Sequence, residues 1–145
     1  RDAGSFHTET FMPLLDFYKR ANKLNLVSAE SGLLIEDGKD KISFLISFGH
    51  TPYMLHPYTD NYIYMADLVP MAHHLHIPWV MGYDIEPGTT TVYKQKFYEF
   101  IKKENLCMIF EHDNDVWGAQ LEFDEKGRPL LVNPKTNELK SIQTI

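Results

Sequence analysis

Three polar side chains share one kind of position, immediately after an apolar stretch with the length of a strand. They are His50 after residues 42–48, Asp67 after residues 62–66, and His112 after residues 107–110. If these strands are neighbours in one sheet and run the same way, their ends meet at one edge, where loops hold functional groups. Two imidazoles and a carboxylate suit zinc or another divalent first-row metal. The spacing therefore predicts part of a metal site.

The elements that must position these side chains are mostly strands. In residues 42–48 every even position is apolar, which predicts a strand with one buried face. The sequence predicts an α/β (α+β) fold with a mixed sheet, in which residues 68–84 form a long ordered loop. The other predicted elements are a helix over residues 6–22 that begins near Thr10 because of Pro13, a turn at residues 31–32, and strands at residues 23–27, 33–36, 53–57, 117–123 and 129–132.

A second helix is predicted from residues 89–91, whose hydroxyl groups are suited to capping, to Glu104. Its predicted apolar face consists of Val92, Tyr93, Phe97, Phe100 and Ile101. Lysines alternate with glutamates and aromatic residues along the same stretch, which indicates a solvated face: Lys94, Lys96, Lys102 and Lys103.

Five further side chains are candidates for orienting a metal ligand or for facing a substrate: Asp113, His73, His74, His76 and Tyr83. Asp113 is equally suited to a turn or to holding the imidazole of His112. The three histidines fit a loop that lines a cleft or packs on Trp79. A weaker alternative is a metal-responsive protein that binds its ion through these three histidines.

Composition excludes several classes of function. The net charge of −6 argues against nucleic-acid binding, which needs clustered Lys and Arg. The single cysteine, Cys107, lies in an apolar run and fits a buried thiol in a reducing compartment, so we expect a cytoplasmic protein. No apolar stretch is long enough for a membrane span. The sequence has neither a Gly-rich phosphate loop nor a serine in a nucleophile-elbow context.

Three segments in order resemble the second half of metallo-β-lactamase-fold hydrolases, especially the lactonase-like and organophosphate-hydrolase-like branches. The segments are Phe-Gly-His-Thr-Pro at 48–52, Tyr-Met-Ala-Asp-Leu-Val-Pro at 64–70, and Phe-Glu-His-Asp at 110–113. The resemblance covers residues 5–132. It implies that His50 binds a first metal, that Asp67 bridges two metals, and that His112 binds the second. It also implies attack by a metal-activated hydroxide on a small ester, lactone, amide or phosphoester.

The sequence departs from that family in two places. The main family motif, H-x-H-x-D-H, does not occur, and Tyr53-Met54 stands where the family often has Gly-His. The first departure leaves no complete catalytic set. We therefore expect residues 1–132 to be the C-terminal half of a longer domain, with residues 133–145 peripheral and the start at Arg1 a cut. The chain alone is expected to be inactive, and the alternative is a non-catalytic binding module of the same fold.

The resemblance also implies a partner. The intact family fold is a four-layer αββα sandwich, so half of it has helices on one sheet face only. The even positions of residues 42–48 are then expected to form an exposed apolar patch, which soluble monomers avoid. We expect the missing N-terminal half, or a second copy in a homodimer, to cover that face. The parent protein is expected to act on a small molecule.

Overall fold

The structure is a computed structural model that describes residues 8–136, and it contains two helices and a seven-stranded sheet in that range. The helices are α1 (Thr8–Arg20) and α2 (Pro87–Glu104). The strands are β1 (Ser31–Asp37), β2 (Asp40–Ser47), β3 (Met54–Tyr58), β4 (Tyr62–Tyr64), β5 (Cys107–Ile109), β6 (Val116–Phe123) and β7 (Pro129–Thr136). Two short 3-10 helices, Ala66–Leu68 and Ala72–Leu75, interrupt the predicted long loop after β4.

The strands lie in the sheet in the order of the sequence. All neighbouring pairs are antiparallel except β4 and β5, which are parallel and are joined by a connection that contains α2. Consequently β2, β4 and β5 run in the same direction. The predicted fold class, α+β with a mixed sheet, is confirmed.

The core lies between α2 and one face of the sheet. Tyr98 and Ile101 of α2 pack with side chains that the strand pairing places on the same face, such as Ile63, Met108 and Ala119. Cys107 is buried, as predicted, and burial raises the pKa of its thiol. Among the described residues, no helix is long and apolar enough to cross a membrane.

The buried face of α2 differs from the predicted one. The helix begins at Pro87, and Glu86 rather than a threonine precedes it as the N-cap residue. Val92, predicted on the apolar face, is 47% exposed, and Lys94, predicted on the solvated face, is fully buried. Both of these predictions were wrong. The buried positions follow helical spacing: Thr90, Lys94, Phe97, Tyr98 and Ile101. Lys96, Lys102 and Lys103 are exposed, as predicted.

The N-terminal region corrects three further predictions. α1 already includes Thr8 and continues through Pro13, so its start is earlier than predicted, while Phe6 lies outside the described residues. Residues 23–27 form no strand, and residues 31–32 belong to β1 rather than to a turn. Gly32 is needed for space, because a Cβ there would come within 3.0 Å of the ring of its cross-strand partner Phe44.

The apolar side of β2 is not the bare surface that the sequence predicted. Phe44 and Ile46 are only 5% and 9% exposed, and the backbone of residue 30 runs beside β2 through a hydrogen bond from Ile46 N to Glu30 O. Several large apolar side chains on β1 and α1 are exposed instead, for example Leu33, Ile35 and Phe17.

His56 of β3 is a satisfied histidine inside the core. Its ring is fully buried and meets Phe97 of α2 edge to face at 4.6 Å between centroids. Because the carbonyl of Tyr64 can only accept, Nδ1 donates to it at 3.1 Å, and the hydroxyl of Ser47 then donates to Nε2 at 2.7 Å. Burial lowers the pKa of His56 from 6.5 to about 4.

Candidate metal centre

The ends of β2, β4 and β5 bring the three predicted ligands together. His50 Nε2 lies 3.3 Å from Asp67 Oδ2, and His112 Nε2 lies 3.1 Å from Asp67 Oδ1. Each oxygen of one carboxylate thus approaches a different imidazole. The common direction of the three strands is the cause, since it places the residues that follow them at one edge of the sheet. The role of these side chains as metal ligands stays a prediction.

The backbone around His50 is fixed by the start of α2. Gly49 has φ +121°, and a Cβ at this position would lie 2.4 Å from the backbone nitrogen of Thr90. Glu86 N donates to the carbonyl of Gly49 at 2.7 Å, and Ile85 N donates to that of His50 at 3.4 Å. Only glycine allows the end of β2 to approach α2 this closely.

The other two ligand positions are anchored by backbone hydrogen bonds. Met65 N donates to the carbonyl of Ile109 at 3.0 Å, which extends the β4–β5 pairing up to the 3-10 helix that carries Asp67. His112 N donates to the carbonyl of Pro70 at 3.0 Å. These bonds hold Asp67 and His112 in register across the parallel pair of strands.

The donor atoms fit a divalent cation. Asp67 Oδ1 is buried and has no hydrogen-bond partner among the described residues, although His112 Nε2 is 3.1 Å away. Two ligands that each lie about 2.1 Å from a tetrahedral zinc are roughly 3.4 Å apart. Both His–Asp67 separations are close to that value. The residues present therefore fit a metal bound on either side of Asp67.

Asp84 is a site residue that the sequence did not reveal. Its carboxylate is 1% exposed, and its Oδ1 accepts from His50 Nδ1 at 2.7 Å. This bond places the ring proton of His50 on Nδ1, so the lone pair of Nε2 faces the carboxylate of Asp67. A nitrogen lone pair and a carboxylate oxygen repel each other, so this arrangement of His50 Nε2 and Asp67 is stable only with a cation, such as a proton or a metal ion, between the two atoms. A carboxylate behind a histidine ligand is a common arrangement in metal sites.

Replacing Asp84 by asparagine should weaken zinc binding about 10- to 100-fold, because it removes the carboxylate that fixes the His50 ring and its tautomer. Asparagine has nearly the same shape, so the loss would reflect charge and hydrogen bonding. Calorimetric titration of both proteins with zinc measures it. Asp115→Asn, at an exposed position, should bind zinc as the unchanged chain does. Equal affinity in Asp84→Asn would contradict this role.

Glu111 also belongs to the site, although the sequence prediction passed over it. Asp67, Glu111 and His112 can bring one ligand atom each within 4.8 Å of the others. His50 is not in this compact group, although its Nε2 lies near Asp67 Oδ2. Burial, followed by the nearby carboxylate of Glu111, raises the pKa of Tyr64. Glu111 lies on the His112 side of the site.

Asp113 behaves as a turn residue in this structure. Its Oδ2 accepts from Ala72 N at 2.9 Å, and its Oδ1 accepts from Asp115 N at 3.0 Å and Val116 N at 2.8 Å. Burial raises the pKa of Asp113, but these three backbone donors outweigh that effect and lower it overall. Asp113 therefore ties the loop after β5 to the 3-10 helix at Ala72–Leu75.

The remaining predicted residues do not join the group of candidate ligands. Tyr83 is exposed and meets the ring of His50 edge-on at 5.7 Å between centroids. His73 and His76 line an open pocket of about 350 Å³ with Trp79, on which His76 packs at 5.3 Å. His74 is half-buried, and burial followed by the charge of Lys94 lowers its pKa. Within residues 8–136 these three histidines form no common metal-binding group.

Comparison with a solved structure supports the fold. The chain is similar to the crystal structure of a probable metal-dependent hydrolase from Staphylococcus aureus, with a TM-score of 0.63 and 19% identity over 81% of this chain. It is also similar to an N-acyl homoserine lactone hydrolase with N-hexanoyl-L-homoserine bound at its metal centre. In that case the TM-score is 0.46 and the identity is 17%, over 57% of this chain and 34% of the other.

The chain therefore shares its fold with part of that probable metal-dependent hydrolase. It spans 41% of the Staphylococcus aureus protein. No protein-family model and no curated protein sequence matches the chain.

Proposed function

We propose that this chain is the C-terminal half of a metallo-β-lactamase-fold hydrolase and holds the late ligands of a site for two divalent metals, of which zinc is the first choice. The observation that carries the proposal is the position of Asp67, with one carboxylate oxygen near each of two imidazoles. In the proposed site, His50 would bind one metal, His112 and Glu111 would bind the other, and Asp67 would bridge the two.

The chemistry of such a site needs no protein nucleophile. Divalent metals, when bound, polarise a carbonyl or phosphoryl oxygen and lower the pKa of water to about 7. The chain itself holds one of the donors, since Asp84 fixes the ring of His50. The exposed ring of Tyr83 beside His50 is placed to contact a substrate. Small esters, lactones, amides and phosphoesters are the substrates that suit the intact site.

The site in this chain is incomplete. With Asp67 counted at both metal positions, the His50 position has two protein ligands and the His112 position has three. Catalytic zinc typically has three protein ligands, so the His50 position lacks at least one. The motif H-x-H-x-D-H, which would supply the others, is absent from the sequence. We propose that a missing N-terminal half, or a second copy of this chain, supplies them, and that the chain alone does not turn over substrate.

Zinc titration by calorimetry tests the proposal. We expect binding with a dissociation constant of roughly micromolar or weaker, since the ligand shell is open. Asp67→Ala should abolish that binding, because it removes the residue shared by both metal positions. Asp60→Ala, which removes an exposed aspartate beyond β3, should leave it unchanged. Zinc affinity that survives in Asp67→Ala, or an absence of binding in the unchanged chain, would sink the proposal.

Sedimentation separates the two ways of completing the site. If a second copy supplies the missing ligands, the chain should form a dimer at micromolar concentration, and zinc should stabilise it. If the chain stays monomeric both with and without zinc, a second copy does not supply the missing ligands, and the missing N-terminal half is their source.

A further inference from the structure

Lys94 is buried in the middle of α2, and its ammonium is directed into the loop that precedes the helix. The Nζ atom donates to the carbonyl oxygens of His74 at 2.6 Å, His76 at 3.2 Å and Trp79 at 2.5 Å. An ammonium has three protons, so these three acceptors satisfy it fully. Burying a lysine is costly, and a purely apolar helix face would pack without that cost. The position therefore calls for a specific role.

The charge of Lys94 has a counterpart in Asp84. The side chain of Asp84 is also buried, and its Oδ2 has no hydrogen-bond partner among the described residues. Burial lowers the pKa of Lys94 to about 8, and the negative charge of Asp84 opposes that effect. The contacts of the ammonium itself are all with backbone carbonyls.

The loop that Lys94 holds leads directly to Asp84. Trp79 N donates to the carbonyl of His76 at 2.9 Å, and Asp84 N donates to that of Met81 at 3.1 Å, so residues 76–84 form two successive turns. Fixing the carbonyls at 74, 76 and 79 fixes the first of these turns. The second turn carries the carboxylate that binds His50 Nδ1.

We propose that Lys94 is a positioning residue of the metal centre: it anchors the loop of residues 74–79 and compensates the buried charge of Asp84, which in turn orients His50. This inference rests on the proposed function for its consequence in metal binding, but the link from Lys94 through Asp84 to His50 belongs to the folded chain itself. An exclusively structural lysine would stabilise the loop without any dependence on Asp84.

The test compares Lys94→Met, Asp84→Asn and the double variant, with Lys103→Met as the matched control on the exposed side of α2. Nitrogen-15 labelled histidine allows the Nδ1 proton of His50, bonded to Asp84, to be followed by NMR in the metal-free chain. We expect that resonance to be lost in Lys94→Met and kept in Lys103→Met. Zinc affinity should fall about 10-fold in Lys94→Met. It should fall no further when Lys94→Met is added to Asp84→Asn.

Each outcome decides the inference. The inference would be overturned if Lys94→Met changed neither the His50 Nδ1 resonance nor the zinc affinity. It would also be overturned if the losses of zinc affinity in Lys94→Met and Asp84→Asn were additive in the double variant. If Lys94→Met does not fold, the double variant should recover folding, because no uncompensated carboxylate remains buried; failure to recover would also overturn it. If the unchanged chain keeps the resonance but binds no zinc, the proposed function fails while the link from Lys94 to His50 stands.

Discussion

Replacing Gly49 by alanine should lower the free energy of unfolding by about 3–5 kcal/mol. Alanine is strained at φ +121°, and its Cβ would lie 2.4 Å from the backbone nitrogen and from the hydroxyl oxygen of Thr90. Thr90 is a buried residue in the first turns of α2, so the clash cannot be relieved by rotating a flexible side chain. The end of β2 and the start of α2 must separate. Urea unfolding followed by circular dichroism measures the loss.

Gly82→Ala is the control for this substitution. A Cβ at Gly82 meets no atom within 4 Å, and its φ lies outside the range that disfavours L residues. It should change stability by less than about 1 kcal/mol. Because His50 follows Gly49 directly, Gly49→Ala should also weaken zinc binding when enough of the variant stays folded. Stability equal to that of Gly82→Ala would show that α2 is not packed against the end of β2 as described.

Acid should destabilise the chain through His56. In the unfolded chain this histidine has a pKa near 6.5, and burial lowers it to about 4 in the folded chain. The unfolded state therefore binds the proton more readily, so stability falls as the pH falls through 6.5 and the loss is complete below about 4. Each pKa unit is worth about 1.4 kcal/mol, so the total loss is about 3 kcal/mol. Urea unfolding at several pH values between 7.5 and 4 measures it.

Replacing His56 by a residue that does not titrate isolates the contribution of His56 to the pH dependence of stability. His56→Gln should be less stable at pH 7, where it disturbs the hydrogen bonds with Ser47 and Tyr64, but its stability should depend less on pH. The difference between the two proteins should therefore shrink by about 3 kcal/mol as the pH falls from 7.5 to 4. A constant difference would mean that His56 takes up its proton equally in both states.

The fold could be predicted where the hydrophobic pattern was unambiguous. The alternation in β2 and the short apolar runs of β4 and β5 each have a local signal that the structure follows. The prediction was wrong for residues 31–32, because a Ser-Gly pair is typical of turns, while Gly32 here makes room for the ring of Phe44. That contact is between strands and leaves no local trace in the sequence.

The site could be predicted only in part. Position at strand ends brought out His50, Asp67 and His112, which the structure does place together. Asp84 lies 34 residues from His50, and no spacing rule joins an aspartate in a loop to a histidine in another loop. Lys94 was misassigned because a charged residue is rarely buried. The spacing of Thr90, Phe97 and Ile101 contained the missing signal, since Lys94 lies on the same helical stripe.

The parallel pairing of β4 with β5 has a consequence for how the chain folds. These strands are neighbours only after the whole connection of residues 65–106, including α2, has closed, which is a slow and entropically costly step. His112 meets Asp67 only across that closure. An ion that requires both residues would find no partial site in a nascent or partly unfolded chain, so it would slow unfolding and raise the thermal midpoint without speeding the early steps of folding.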